Sequence, residues 1–213
     1  MKTSSLLRRA IAVAAAVTAL LALAVHPASA ARPTRDNNCV HPSGVSLNEL
    51  FGVPEQFVLP FCEGFTAGEH WRPAMNYFGA DGSDAVYPPG YVPLHPNPVD
   101  DILAKVTVNV VIDGGTRQQK TYTFSPTDRD AFRTDVRVHE VNPAFPDIPS
   151  FFIMPRMAPL RPGHHTYEFI WVQSAPHCDG LSADEDASCL PAGEFPLGVR
   201  PADVSTPRSV AAG

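Results

Sequence analysis

The chain has 213 residues, 23 of them proline, and its 22 acidic residues outnumber the 16 basic ones. Proline at that density, about twice the usual roughly 5%, argues against a helical bundle and for a loop-rich or all-β fold. The 44% hydrophobic content excludes a wholly disordered chain, and the acidic balance leaves no electrostatic footprint for nucleic acid or anionic lipid.

Residues 1–30 read as a secretory signal peptide. Lys2, Arg8 and Arg9 form a positive start, Ala10 to Val25 an apolar run, and Ala28-Ser29-Ala30 a small-residue cleavage site. Arg8-Arg9 also admits twin-arginine export, although the rest of that motif is missing. Cleavage after Ala30 would remove three basic residues and no acidic one, leaving 13 against 22, a net charge near −9. No later apolar run reaches the roughly 18 residues of a membrane span. The expected organisation is a signal peptide over 1–30, a single domain over 31–200 and a flexible tail over 201–213. The expected localisation is secreted, with an extracellular or envelope partner of unknown identity.

In chain order, Val45–Phe51 allows one helical turn, and Gln56–Phe61 is a strand interrupted by Pro60. Phe65–Phe78 reads as two extended pieces broken at Pro73. Residues 79–98, with three glycines and five prolines, form a long surface loop in which Tyr87 and Tyr91 look exposed. Leu103–Ile112 alternates with period two, placing Val106, Val108, Val110 and Ile112 on one face. Asp113-Gly114-Gly115 signals a turn into Lys120–Phe124, completing a β-hairpin. Ser125 and Pro126 suit the start of a short helical turn over Ser125–Arg133. Thr134–Val141, with Val136 and Val138 on one face, is a weaker strand, and Phe151–Met154 a short apolar one. His165–Ser174 carries Tyr167, Phe169 and Trp171 on one face and Ile170 and Val172 on the other, as in a central strand. Phe195–Val199 is a last strand.

Four cysteines, Cys39, Cys62, Cys178 and Cys189, allow three pairings. Cys39–Cys62 and Cys178–Cys189 each bracket a loop-like stretch, so local pairing is expected in an exported domain. The loop over 179–188 is polar and has almost no apolar anchor except Leu181. A metal site at His177-Cys178 and Cys189 would want the C-x₂₋₄-C spacing of zinc sites, which is missing.

Seven or eight short strands with turns between them predict an all-β, antiparallel two-sheet sandwich with long proline-rich loops. The stretch Leu160-Arg161-Pro162-Gly163-His164-His165-Thr166-Tyr167-Glu168-Phe169 resembles the tyrosine corner of immunoglobulin-like and fibronectin type III-like domains. That resemblance implies an immunoglobulin-like sandwich in which Tyr167 hydrogen-bonds back over the turn. His177-Cys178-Asp179-Gly180 with Cys189-Leu190-Pro191-Ala192-Gly193 is similar to uncharacterised secreted bacterial proteins, a resemblance that names no activity.

Polar clusters give weak chemistry. Gly68-Glu69-His70-Trp71 places Glu69 and His70 on opposite sides of any strand. His164-His165 diverge at a turn, and His70, His139, His164 and His165 make a metal site for copper or zinc only if the fold gathers them. Paired carboxylates occur at Asp100-Asp101 and Asp184-Glu185-Asp186, the latter solvated inside the expected disulfide loop. No Gly-x-Ser-x-Gly elbow or phosphate-binding glycine loop is present. The expected function is non-catalytic binding or an envelope role, with no catalytic residue and no cofactor. The alternative is a small exported metal-binding protein or metal-dependent enzyme.

Overall fold

The computed structural model describes residues 39–40, 44–54, 56–62, 64–134 and 148–207. The expected signal peptide, the strand residues Val136 and Val138, His139 and the last six residues lie outside that set. The described residues are mostly strand, with three short helices: α1 (Leu47–Leu50), α2 (Pro98–Leu103) and α3 (Glu185–Ser188).

Two main sheets carry the fold. The larger has β1 (Phe65–Thr66), β3 (Val106–Ile112), β4 (Lys120–Phe124), β7 (Gly163–Gln173) and β10 (Gly193–Ser205), in the order β1-β10-β7-β3-β4. β1 runs parallel to β10, and the other pairs are antiparallel. The smaller is β2 (Met75–Phe78), β6 (Ser150–Ile153) and β5 (Phe132–Thr134), in the order β2-β6-β5. A two-stranded ribbon joins β8 (His177–Cys178) to β9 (Cys189–Leu190).

Period-two alternation on β3 and β7 decides which face is buried. Val108, Val110 and Ile112 pair with Trp171, Phe169 and Tyr167, and all six are buried. Tyr77 of the smaller sheet stacks on Phe151, 5.3 Å between ring centroids, and on Trp171, 5.9 Å away. One core therefore joins residues of both sheets. β6 is buried at every position because a second cluster covers its other face. That cluster comes from Cys39, Phe51, Val53, Phe57 and Leu59 with Phe152 and Met154. Each large apolar side chain removed from water this way contributes about 1.5–3 kcal/mol.

Several expectations shift. Gln56–Phe61 is not a strand, although Val58 makes a single bridge to Trp71. Leu103 and Ala104 belong to the end of α2, so β3 begins at Val106. The helix wins there because Asn97 caps it, accepting from the Val99 N–H, and Pro98 sits in its first turn. Ser125–Ala131 forms turns rather than a helix. The outer face of β7, with Ile170 and Val172, is only half-buried.

The expected tail begins too early. Pro201–Ser205 continues β10, pairing with the start of β7 and with β1. The physical reason is again alternation, since Ala202 and Val204 turn inward and are buried. A register shift between Pro196 and Val199, with Gly198 at φ 86°, lets β10 bend around its two prolines and resume pairing. Tyr167 is buried in the core against Trp71, and its hydroxyl lies beside Arg200 of β10. Among the described residues it makes no hydrogen bond across the 160–164 turn.

Candidate functional site

Both disulfides are the local ones, Cys39–Cys62 and Cys178–Cys189. The second lies across the β8–β9 pair, where Cys178 and Cys189 are register partners. It sits at one end of the larger sheet, against the proline-rich loop over 79–98. Backbone bonds from Ala80 N–H to Asp179 and from Val86 N–H to Gly180 tie the two loops together. Gly180 is required there: it has φ 75°, and a Cβ would come within 2.9 Å of the Ala85 methyl.

Beneath these loops lies a buried polar cluster centred on Asp101 of α2. Asp101 and His177 are almost fully buried, and Lys105 is 5% exposed. Asp101 Oδ2 accepts from Lys105 Nζ at 2.6 Å, His177 Nδ1 at 2.6 Å and the Tyr91 hydroxyl at 2.8 Å. Its Oδ1 accepts from the backbone N–H of Leu94 at 2.6 Å and of His95 at 3.3 Å. Lys105 spends its remaining protons on the Tyr91 oxygen and the Pro176 carbonyl. The Tyr77 hydroxyl donates to His177 Nε2.

The protonation states follow from these partners. Burial alone would raise the Asp101 pKa, but donors from Lys105, His177, Tyr91 and Leu94 outweigh it and hold the carboxyl at about 2. Burial also works against the Lys105 charge, and Asp101 and Tyr91 reverse that, raising its pKa above the usual value. Burial pushes His177 below its ordinary value despite Asp101. The imidazole is therefore neutral, with the Nδ1 proton on the Asp101 side and Nε2 free to accept from Tyr77. Burial first, then the Asp179 charge, raises the Tyr77 pKa and keeps its phenol protonated.

This neutral His177 makes stability pH-dependent. The unfolded chain takes up a proton on His177 near pH 6.5, and the folded chain resists it. Its contribution is fully present above about 6.5 and declines as pH falls toward the lower folded-state pKa, by at most about 1.4 kcal/mol per pH unit. Urea midpoints measured from pH 7.5 to 5 should drop for the native chain and drop less for His177→Gln. Parallel curves for the two would refute the assignment.

The Tyr77–His177–Asp101 chain has the order of a proton relay. Tyr77 stacks against Phe151 and Trp171, which also stack on each other, and every described contact of Asp101 is already a hydrogen bond within the protein. What it does is clamp: one carboxylate joins α2, β8 and the backbone of the proline loop. Tyr91 is thereby turned inward, and Tyr87 packs on it at 5.3 Å, so neither is the exposed aromatic that the sequence implies. Between the loops opens a cavity of about 510 Å³, lined by Pro88, Tyr91, Pro176, Glu185, Leu190 and the Cys178–Cys189 bridge among others.

The histidines expected to gather are apportioned to separate partners. His164 pairs with Asp203 on β10, while His165 places Nδ1 2.8 Å from Asp113 and Nε2 3.0 Å from the Arg161 carbonyl. His70 donates from Nδ1 to the Met157 carbonyl. Among the described residues, no three His, Cys, Asp or Glu side chains are grouped to hold a metal ion. Sequence reasoning missed Asp101, Lys105 and His177 as a unit. The available signal was the Asp101–Lys105 spacing of four behind an Asn97-Pro98 helix start.

No protein-family model, curated protein or solved structure matches this chain.

Proposed function

We propose that the chain is an exported, non-catalytic binding module of immunoglobulin-like sandwich architecture, presenting the clamped loop end to a protein partner. The observation that carries the reading is a concentration of exposed apolar side chains on two braced loops. Val86, Val92 and Leu94 on the proline loop and Leu181 and Leu190 beside the disulfide are each at least 41% exposed, Val92 at 81%. Apolar groups left in water on a scaffold this well braced fit a surface that another protein covers. Rigidity supports the same reading, because a pre-ordered loop loses little entropy on binding.

Strand order supports the immunoglobulin-like assignment. β2-β6-β5 corresponds to B-E-D of that architecture, and β4-β3-β7-β10 to a C′-C-F-G sheet. Tyr167 then falls near the start of the strand equivalent to F. Two disulfides fit an oxidising, extracellular setting. No helix among the described residues is long and apolar enough to cross a membrane.

The test is photo-crosslinking from position 92 in the envelope fraction of the producing cell. A discrete adduct that Leu94→Asp and Leu181→Asp abolish is expected. No adduct, or one indifferent to both substitutions, overturns the loop surface as the binding face. Elemental analysis of the same preparation tests the copper or zinc alternative, which stoichiometric metal would revive.

A further inference from the structure

Away from the loop end, a second cavity of about 650 Å³ collects three guanidinium groups in a chain of acidic balance. Its lining includes Arg72, Arg133 and Arg156 with Phe57, His70, Glu69 and Asp130. Its size lies in the usual range for small-molecule sites, roughly 300–1,000 Å³.

Arg72 is 3% exposed and locked in place. It donates from Nη1 to the carbonyls of Asp130, at 2.8 Å, and Met154, and from Nη2 to the Asp130 carboxylate at 2.9 Å. Its Nε is buried and has no hydrogen-bond partner, and the same holds for Nε of Arg133. Buried donors of this kind are rare in native proteins and each calls for an explanation. Arg133 stands on β5, and burial and then the Arg72 charge lower its pKa. Among the described residues, neither Arg133 nor Arg156 has a carboxylate within ion-pair distance. The guanidiniums of Arg72 and Arg156 lie 4.8 and 5.3 Å from the centre of the Phe57 ring. The ring helps hold the two cations but cannot neutralise them.

Packing alone does not account for this arrangement. Arginine is the side chain suited to planar, bidentate recognition of an anion, and like charges gather where an anion offsets them. Among the described arginine, aspartate and glutamate residues of the lining, three guanidiniums against the carboxylates of Glu69 and Asp130 leave an excess of one positive charge. One surplus charge matches a monoanion better than a doubly charged phosphate. Phe57 and Pro54 in the lining favour a ligand with an apolar body.

We infer that the Arg72–Arg133–Arg156 cavity is a binding site for a small organic monocarboxylate. The carboxylate lies among the guanidiniums, and the apolar part of the ligand rests on Phe57 and Pro54. The site is separate from the loop surface, and neither reading depends on the other.

The experiment is a titration of the disulfide-intact, arginine-¹⁵N-labelled protein, following the Arg Nε–H resonances. Benzoate is the probe, benzamide its uncharged isostere and phenyl phosphate its doubly charged counterpart. Benzoate is expected to shift the Arg72 and Arg133 signals saturably, and benzamide to leave them in place. Arg156→Gln, at an exposed position that folding tolerates, should weaken benzoate roughly tenfold or more, the scale of one charge-assisted bond. Arg133→Gln should do the same, and Arg161→Gln, outside the cavity, should change nothing. No saturable shift with benzoate, an equal shift with benzamide, tighter binding of phenyl phosphate, or unaltered binding by Arg156→Gln would each overturn the inference.

Discussion

Asp101→Asn should lower the stability of the folded chain by about 3–5 kcal/mol, the cost of leaving a buried charge without its partner. Asn keeps the size of Asp and removes the one negative charge that offsets the Lys105 ammonium, which is 4% exposed at its side chain. Its amide nitrogen would also face donors from Lys105, His177 and Tyr91, none of which can accept from it in their present roles. For a domain of this size the loss corresponds to a Tm lower by roughly 6–20 °C. Asp101→Asn combined with Lys105→Met should recover part of it, because the second change removes the stranded cation, and the cycle of the four proteins measures the coupling. Denaturation midpoints that stay within about 0.5 kcal/mol of the native chain would show that Asp101 is not the clamp. The same carboxylate predicts acid behaviour. Its folded pKa of about 2 lies below the ordinary 3.8, so its contribution is complete above 3.8 and is lost as pH falls through 2.

Replacing Cys178 and Cys189 together by Ser should cost about 2–5 kcal/mol. The bond closes a loop with a sequence separation of 11 and joins facing residues of β8 and β9. Proteolysis should then begin within 179–188 ahead of global unfolding. The loop is better braced than its composition implies. Asp184 caps α3, Ser188 donates to the carbonyls of Ser182 and Asp184, and the Asp179 N–H donates to the Ser188 carbonyl. Leu181, the one apolar residue of the sequence-based anchor, is 48% exposed, and buried His177 and Gly180 anchor the loop instead. The predicted sequence of events is loss of the β8–β9 ribbon, then release of the proline loop through Ala80 and Val86. Hydrogen exchange should show those two amides exposed together in the double variant. Protection unchanged at Ala80 would refute the coupling.

The strands were legible wherever one face is apolar at period two. β4 and its hairpin with β3 follow from Val106–Ile112, Asp113-Gly114-Gly115 and Lys120–Phe124, and β7 from Tyr167, Phe169 and Trp171, because alternation is a local property. The local cysteine pairing was legible for a similar reason, since short loops place their ends close together. Where a local rule had a competitor, position in the fold decided. Pro201–Ser205 reads as a tail by composition and becomes strand because β1 and β7 supply partners and a core for Ala202 and Val204.

Neither polar site could be read along the chain. Asp101 and His177 are 76 residues apart, and Arg72 and Asp130 are 58 apart. Each of these side chains reads by itself as an ordinary surface residue, and burial, which turns a polar residue into a clamp or a waiting cation, is a property of the packed chain. The sequence by itself determined an acidic, proline-rich chain of short alternating strands with two local cysteine pairs. The tertiary structure alone decided which charges are buried together, because that depends on how sheets and loops close over one another and not on any spacing between neighbours.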